Sequence, residues 1–235
     1  MPDLPEGWVW PKWKGKDLGF IAQIDLAEIA CLGIAGCLPP GGVLYFFYDQ
    51  EQRAWGFDPA DRGAWRVLFY AGEADALTRV AEPQYLDEDA IYEPCKLRPF
   101  AELTLPPVGS PCLGDLGLSE LEERRYSALL SELEERHGPP LNRLLGHPDQ
   151  IQGDMAWESQ MALNGVFVGD EGYVGDPRIT ELQNGVLDWR LLLQIDSDPA
   201  PDMMWGDEGR VYYWIREQDL EKKSFDSTWF ILQCY

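Results

Sequence analysis

The sequence predicts an α+β fold, and three observations carry that expectation. Six short runs are rich in Val, Ile, Phe, Tyr and Trp and are bounded by Gly, Pro or Asp, the pattern of strands. These runs fall into two sets of three that follow one plan at opposite ends of the chain, a duplicated β unit. Between them lies one strongly signalled helix. The chain has 235 residues, 45% of them hydrophobic, enough to bury a core, and no flexible linker divides it. One domain spanning 1–235 is therefore expected.

The first unit, about 19–70, reads GFIAQID (19–25), GGVLYFFYD (41–49) and AWRVLFY (64–70). The second, about 189–235, reads LLLQID (191–196), DEGRVYYWI (207–215) and TWFILQCY (228–235). Gln23 aligns with Gln194, Gly42 with Gly209 and Trp65 with Trp229. The offset drifts by only a few residues, as loop-length changes between repeats would produce. VLYFFY barely alternates, so both faces of that strand should be covered, as at the centre of a sheet. A short helix is predicted after Asp25, with Glu28 completing a D-x-x-E box and Gly33 or Gly36 ending it.

The middle segment, 71–188, begins with an acidic stretch over 71–93 that ends in Asp87, Glu88 and Asp89. Such a run reads as a solvated loop or helix face. The clearest helix is 118–137. Ser119 and Glu122 form a capping box, Tyr126, Leu129, Leu130 and Leu133 recur at helical spacing, and Gly138-Pro139-Pro140 stops it.

Acidic residues number 41 against 19 basic ones, a net charge of −22. A binder of phosphate backbones needs a positive surface, so nucleic acid is excluded as a partner. No run approaches the roughly 18 apolar residues of a membrane span, and MPDLPEGWVWPKWKGK lacks the apolar stretch of a signal peptide. Five cysteines (Cys31, Cys37, Cys95, Cys112, Cys234) include no CxxC pair, and only His137 and His147 could join them around zinc. Buried free thiols in a reducing, cytoplasmic compartment are expected.

WGDEG (205–209) is the most suggestive local motif. Its glycines let backbone approach a ligand, Trp205 offers a stacking face and Asp207 a carboxylate. A β-turn feeding the next strand explains the same residues, and GDEG recurs at 169–172 without the Trp. Gln23 and Gln194 end apolar strands, where a buried amide must find partners. They either line a shared cleft or tie neighbouring segments together through backbone groups. Gln152 and Gln233 belong to the same class. Candidate ligand-binding residues are thus Gln23, Gln152, Gln194, Trp205, Asp207 and Gln233.

Asp196, Asp198 and Asp202 are weak metal candidates, because D-S-D-P-A-P-D lacks the glycine of an EF-hand loop and carries two stiffening prolines. No nucleophile elbow, phosphate loop or dinucleotide fingerprint occurs, so no catalytic residue is assigned and no cofactor is expected.

FIAQIDLAEI, LPPGGVLYFFYD, LLGHPDQIQGDM, WRLLLQIDSD, MMWGDEGRVYYWI and FILQCY, in that order from Trp10 onward, resemble the YwqG-like family, a bacterial family of unknown biochemical function. The resemblance implies a single α+β domain, predominantly antiparallel β, built from a duplicated unit. Some relatives sit near secreted-toxin systems, which implies an immunity or protein-binding role. Relatives carry a Gly-Gly-rich segment ahead of the W-P motif, whereas this chain starts almost at Trp10-Pro11. Either its first strand is missing or its start is assigned too late.

The leading expectation is a non-catalytic, cytoplasmic and monomeric protein whose acidic surface engages a basic protein partner. The alternative is a small-molecule binder or enzyme with a cleft between the duplicated halves. Trp205, Tyr212, Trp214 and Trp229 would line that cleft, with Gln194, Asp207 and Gln233.

Overall fold

The structure, a computed structural model, describes residues 2–73, 76–114, 116–169 and 173–235. In chain order, β1 (Asp3–Leu4), β2 (Lys12–Trp13) and β3 (Lys16–Asp25) lead into α1 (Leu26–Ala30), β4 (Val43–Asp49), β5 (Trp65–Tyr70) and β6 (Thr78–Arg79). Then come α2 (Pro111–Gly114), α3 (Glu120–His137), β7 (Arg143–Leu144), α4 (Met155–Leu163) and α5 (Ile179–Leu182). The chain closes with β8 (Trp189–Asp196), β9 (Arg210–Arg216), α6 (Glu217–Glu221) and β10 (Trp229–Gln233). Every strand pairing is antiparallel, and the fold is α+β.

Two four-stranded sheets have the same design. One runs β2-β3-β4-β5 and the other β7-β8-β9-β10, while β1 pairs with β6. The long strands β3 and β8 each bulge at the same place, between Phe20 and Ala22 and between Leu191 and Leu193. Gln23 then faces Tyr45, and Gln194 faces Tyr212. Gly42 and Gly209, which precede the middle strands, are glycines for one steric reason. An added Cβ would lie 2.4 Å from the Tyr70 carbonyl oxygen in one sheet and 2.2 Å from that of Gln233 in the other.

The third strands depart from the sequence alignment by one residue. Leu68 faces Tyr45 and Ile231 faces Tyr212, so the counterpart of Trp65 is Thr228 rather than Trp229. The two tryptophans, although not equivalent in register, meet across the core with ring centres 4.9 Å apart.

The sheets pack through their inner faces. Tyr48 stacks on Phe230 at 4.0 Å and Phe46 meets Tyr213 edge-on at 5.0 Å. β4 is buried along its whole length, as its unbroken apolar run predicts. Each such side chain contributes roughly 1.5–3 kcal/mol. Their polar tips are paired: the Tyr213 hydroxyl donates to Phe47 O (3.2 Å), Trp229 Nε1 to Gly56 O (2.8 Å) and Trp65 Nε1 to Thr228 O (3.0 Å). These bonds stitch one sheet to the other.

Asp25 caps α1 by accepting from Ala27 N at 2.8 Å. At the start of α3, the Ser119 backbone N–H and hydroxyl both donate to Glu122 Oε2 (2.8 and 2.6 Å). No residue of α3 is buried. Its Tyr126, Leu129 and Leu133 stripe therefore serves something other than the core.

One expectation is corrected. Only Cys234 is a buried thiol; Cys31, Cys37 and Cys95 are exposed in turns and irregular segments, and Cys112 is exposed on the short helix α2, all outside the packed strands. Ahead of Trp10, β1 pairs with β6.

Candidate functional site

The glutamine candidates form structural clamps rather than a shared cleft. Gln23 and Tyr45 bracket Asp3: Asp3 N donates to Gln23 Oε1 (2.7 Å) and the Tyr45 hydroxyl donates to Asp3 O (2.7 Å). Gln194 and Tyr212 bracket Asp149 in the same way, at 2.9 and 2.7 Å. An arginine holds each aspartate's carboxylate, Arg79 in one case and Arg143 in the other. Sequence reasoning missed this repeat, although Pro2-Asp3 and Pro148-Asp149, each followed four residues on by Gly7 and Gly153, signal it. Both clamps sit on the outward faces of their sheets.

Gln233 accepts from Ile151 N (3.1 Å) and Gln152 N (2.9 Å) and donates to Gly153 O, while the Gln152 amide donates to Cys234 O. Trp205 is completely buried, with Nε1 donating to Asp196 O at 3.1 Å, so it offers no stacking face. Tyr212, Trp214 and Trp229 are buried as well, and the seam between the sheets is filled with aromatic rings. Asp207 stands exposed in a turn closed by Gly209 N donating to Trp205 O at 2.8 Å. The other GDEG, at 169–172, lies largely outside the described residues.

The three aspartates do not converge on a cation. Asp196 is held by Arg210 Nε (2.9 Å) and Leu141 N (2.8 Å), whereas Asp198 accepts from Ala200 N in its own turn. Among the described residues no group of three or more His, Cys, Asp or Glu side chains is arranged to hold a metal ion.

Asp196 and Asp149 instead anchor a layer laid over the second sheet. Buried Arg210 spans Asp196, Asp149 O (3.1 Å) and Glu134 Oε1 of α3 (3.0 Å). Its guanidinium is held above its ordinary pKa: burial opposes the charge, but the Asp196 carboxylate, Tyr212 and the hydrogen bond to Glu134 together outweigh it. Arg143 joins Asp149 to Glu102, at 3.3 Å from Glu102 Oε1, and His137 Nε2 lies 3.4 Å from the same oxygen. The Tyr126 hydroxyl donates to Pro106 O at 2.7 Å. These contacts fix α3 and the irregular strap before it, 100–106, against each other.

An apolar groove of about 450 Å³ runs between them. Phe100, Ala101, Leu103 and Leu105 line one wall, Leu129 and Leu133 the other, and Glu102 and His137 contribute polar groups. Phe100 is 70% exposed and Leu103 86%, an arrangement that burial alone would disfavour. The helix α3 carries Glu120, Glu122, Glu123, Glu132, Glu134 and Glu135 alongside Arg124, Arg125 and Arg136, a net negative balance. Asp87, Glu88 and Asp89 are exposed on the segment that leads into the strap. The apolar Phe100, Leu103 and Leu105 between Pro99 and Pro106 were the available signal in the sequence.

Two antiparallel sheets packed face to face, with an acidic helix and strap on the outside of one, place the chain in the α+β class of two-sheet proteins. A family model described as "Domain of unknown function (DUF1963)" matches residues 1–234, and the chain belongs to that family. No curated protein matches it. Among the described residues, no helix is long and apolar enough to cross a membrane.

Proposed function

We propose that the chain is a YwqG-like, cytoplasmic, non-catalytic binding protein, one domain built from a duplicated unit, that docks a basic protein partner. The observation that carries this reading is the apolar groove between the strap and α3, open to solvent, with Glu102 in its lining and on a chain of net charge −22. Its occupant is a lysine- or arginine-rich segment presenting apolar anchors. The anchors fill the groove and the charges steer approach. An immunity-like role, in which the partner is a basic toxin domain, is the concrete form. The exposed free thiols favour a reducing compartment. The alternative, a ligand cleft between the halves, is disfavoured because that seam is the packed aromatic core.

The test compares the wild-type protein with a Leu103→Glu, Leu129→Glu variant for binding of a synthetic lysine-rich amphipathic peptide by calorimetry. Partners captured from the native host at low salt are compared in the same way. The reading expects peptide and a basic captured protein to bind wild type, to weaken as salt rises, and to be lost from the folded groove variant. Equal binding by the groove variant would refute it.

A further inference from the structure

We propose that a second site, between the starts of β5 and β10, binds a small molecule through a compact oxyanion, a phosphate or a carboxylate. A cavity of about 250 Å³ opens there, lined by Arg62, Gly63, Trp65, Arg66, Asp226 and Thr228. It lies away from the groove of α3, and its residues play no part in the docking reading.

The arginines at this cavity depart from most others in the molecule, Arg98 and Arg125 being the remaining ones without an ion pair among the described residues. Arg79, Arg143, Arg178, Arg190, Arg210 and Arg216 each hold a carboxylate. With acids outnumbering bases by 41 to 19, that is the expected fate of an arginine here. Among the described residues Arg62 and Arg66 form no ion pair, although both line the same small cavity and Asp226 shares its wall. Arg66 spends one donor on the backbone, Nη1 to Trp65 O at 2.8 Å. Among the described residues, the remaining N–H groups of both guanidinium forks are uncommitted.

Thr228 supplies an independent sign. It lines the cavity, is only 5% exposed, and its buried hydroxyl has no hydrogen-bond partner among the described residues. Its carbonyl is already taken by Trp65 Nε1 at 3.0 Å. Buried hydroxyls are nearly always paired, so an orphan on a residue that lines a cation-lined cavity points to a missing acceptor. The frame is rigid. Trp65 is anchored in the core, and Gly63 adopts φ +102°, where an added Cβ would lie 3.1 Å from Trp13 and 3.5 Å from Arg66 Nη1.

Two planar forks suit the paired oxygens of a phosphate or carboxylate. Asp226 repels a bare anion but accepts from a hydroxyl or ammonium beside it, so the preferred ligand carries such a donor next to its anionic group. The cavity is smaller than the roughly 300–1,000 Å³ typical of drug-sized ligands, which limits the ligand to a compact molecule.

Isothermal titration at matched ionic strength tests this with inorganic phosphate, phosphoethanolamine and succinate, with chloride as the blank. Wild type should bind saturably at one site, phosphoethanolamine more tightly than phosphate. The relative strength of succinate assigns the anion as carboxylate or phosphate. Arg62→Ala, at an exposed position that leaves the core intact, and Arg66→Ala should each weaken binding roughly tenfold or more. Asp226→Asn should remove the advantage of phosphoethanolamine. Absence of saturable binding to wild type, or unchanged binding by the folded Arg62→Ala variant, would overturn the proposal.

Discussion

Replacing Glu158 with glutamine should stabilise the protein above neutral pH and leave it unchanged in mild acid. Glu158 lies on α4 beside Asp154, which caps the helix by accepting from Ala156 N and Trp157 N. Burial pushes the Glu158 carboxyl up to about 7, the Asp154 charge adds to the rise, and the Gln233 amide opposes it. Oxygen Oε2 has no hydrogen-bond partner among the described residues. An acid whose folded pKa is raised keeps its proton in the folded state while the unfolded chain releases it. Stability is therefore lost as pH rises from the ordinary value of 4.5 towards about 7, and is level beyond. At 1.36 kcal/mol per pKa unit, ionisation costs at most about 3 kcal/mol, and less in proportion as water reaches the side chain. Urea unfolding of both proteins at intervals from pH 4.5 to 8.5 measures the effect. The stability difference should grow from near zero to a plateau of about 1–3 kcal/mol in favour of the variant. A difference independent of pH, or a variant less stable at pH 8, would refute the reasoning.

Trp205→Ala should cost about 3–5 kcal/mol in urea unfolding, since the indole is wholly buried, whereas Asp207→Ala at the exposed turn should change stability by less than about 0.5 kcal/mol. Gly209→Ala places a Cβ 2.2 Å from Gln233 O and should lower stability by about 2 kcal/mol or more, read in the same assay. Charge reversal of Asp87, Glu88 and Asp89 should weaken a basic partner at low salt. Titration at rising ionic strength should show the effect fading as screening reaches a Debye length of about 8–10 Å.

The elements that were legible in the sequence were those with local causes. Asp25 and the Ser119–Glu122 pair announce helix starts because capping is satisfied within three residues. The apolar runs of β3, β4 and β5, and of β8, β9 and β10, declare strands, and VLYFFY declares a central one. Gln23 and Gln194 were rightly read as matching positions, since the same bulge precedes both. Trp65 and Trp229 were matched one residue out of register, because likeness of residue type does not report which neighbour a strand pairs with.

By itself, then, the sequence determined six of the strands, the starts of α1 and α3, the twofold plan and the strongly negative charge. Each depends on short-range pattern or on composition. Only the tertiary structure decided where each face points. It seals Trp205 and Trp229 inside, commits Gln194 and Gln233 to backbone groups, and leaves Leu103, Leu129, Arg62 and Arg66 beside open cavities. The physical reason is that burial and unpaired charge are properties of what lies across the fold. Thr228 O reaches Trp65 from 163 residues away and Glu134 reaches Arg210 from 76, and no local window contains both partners.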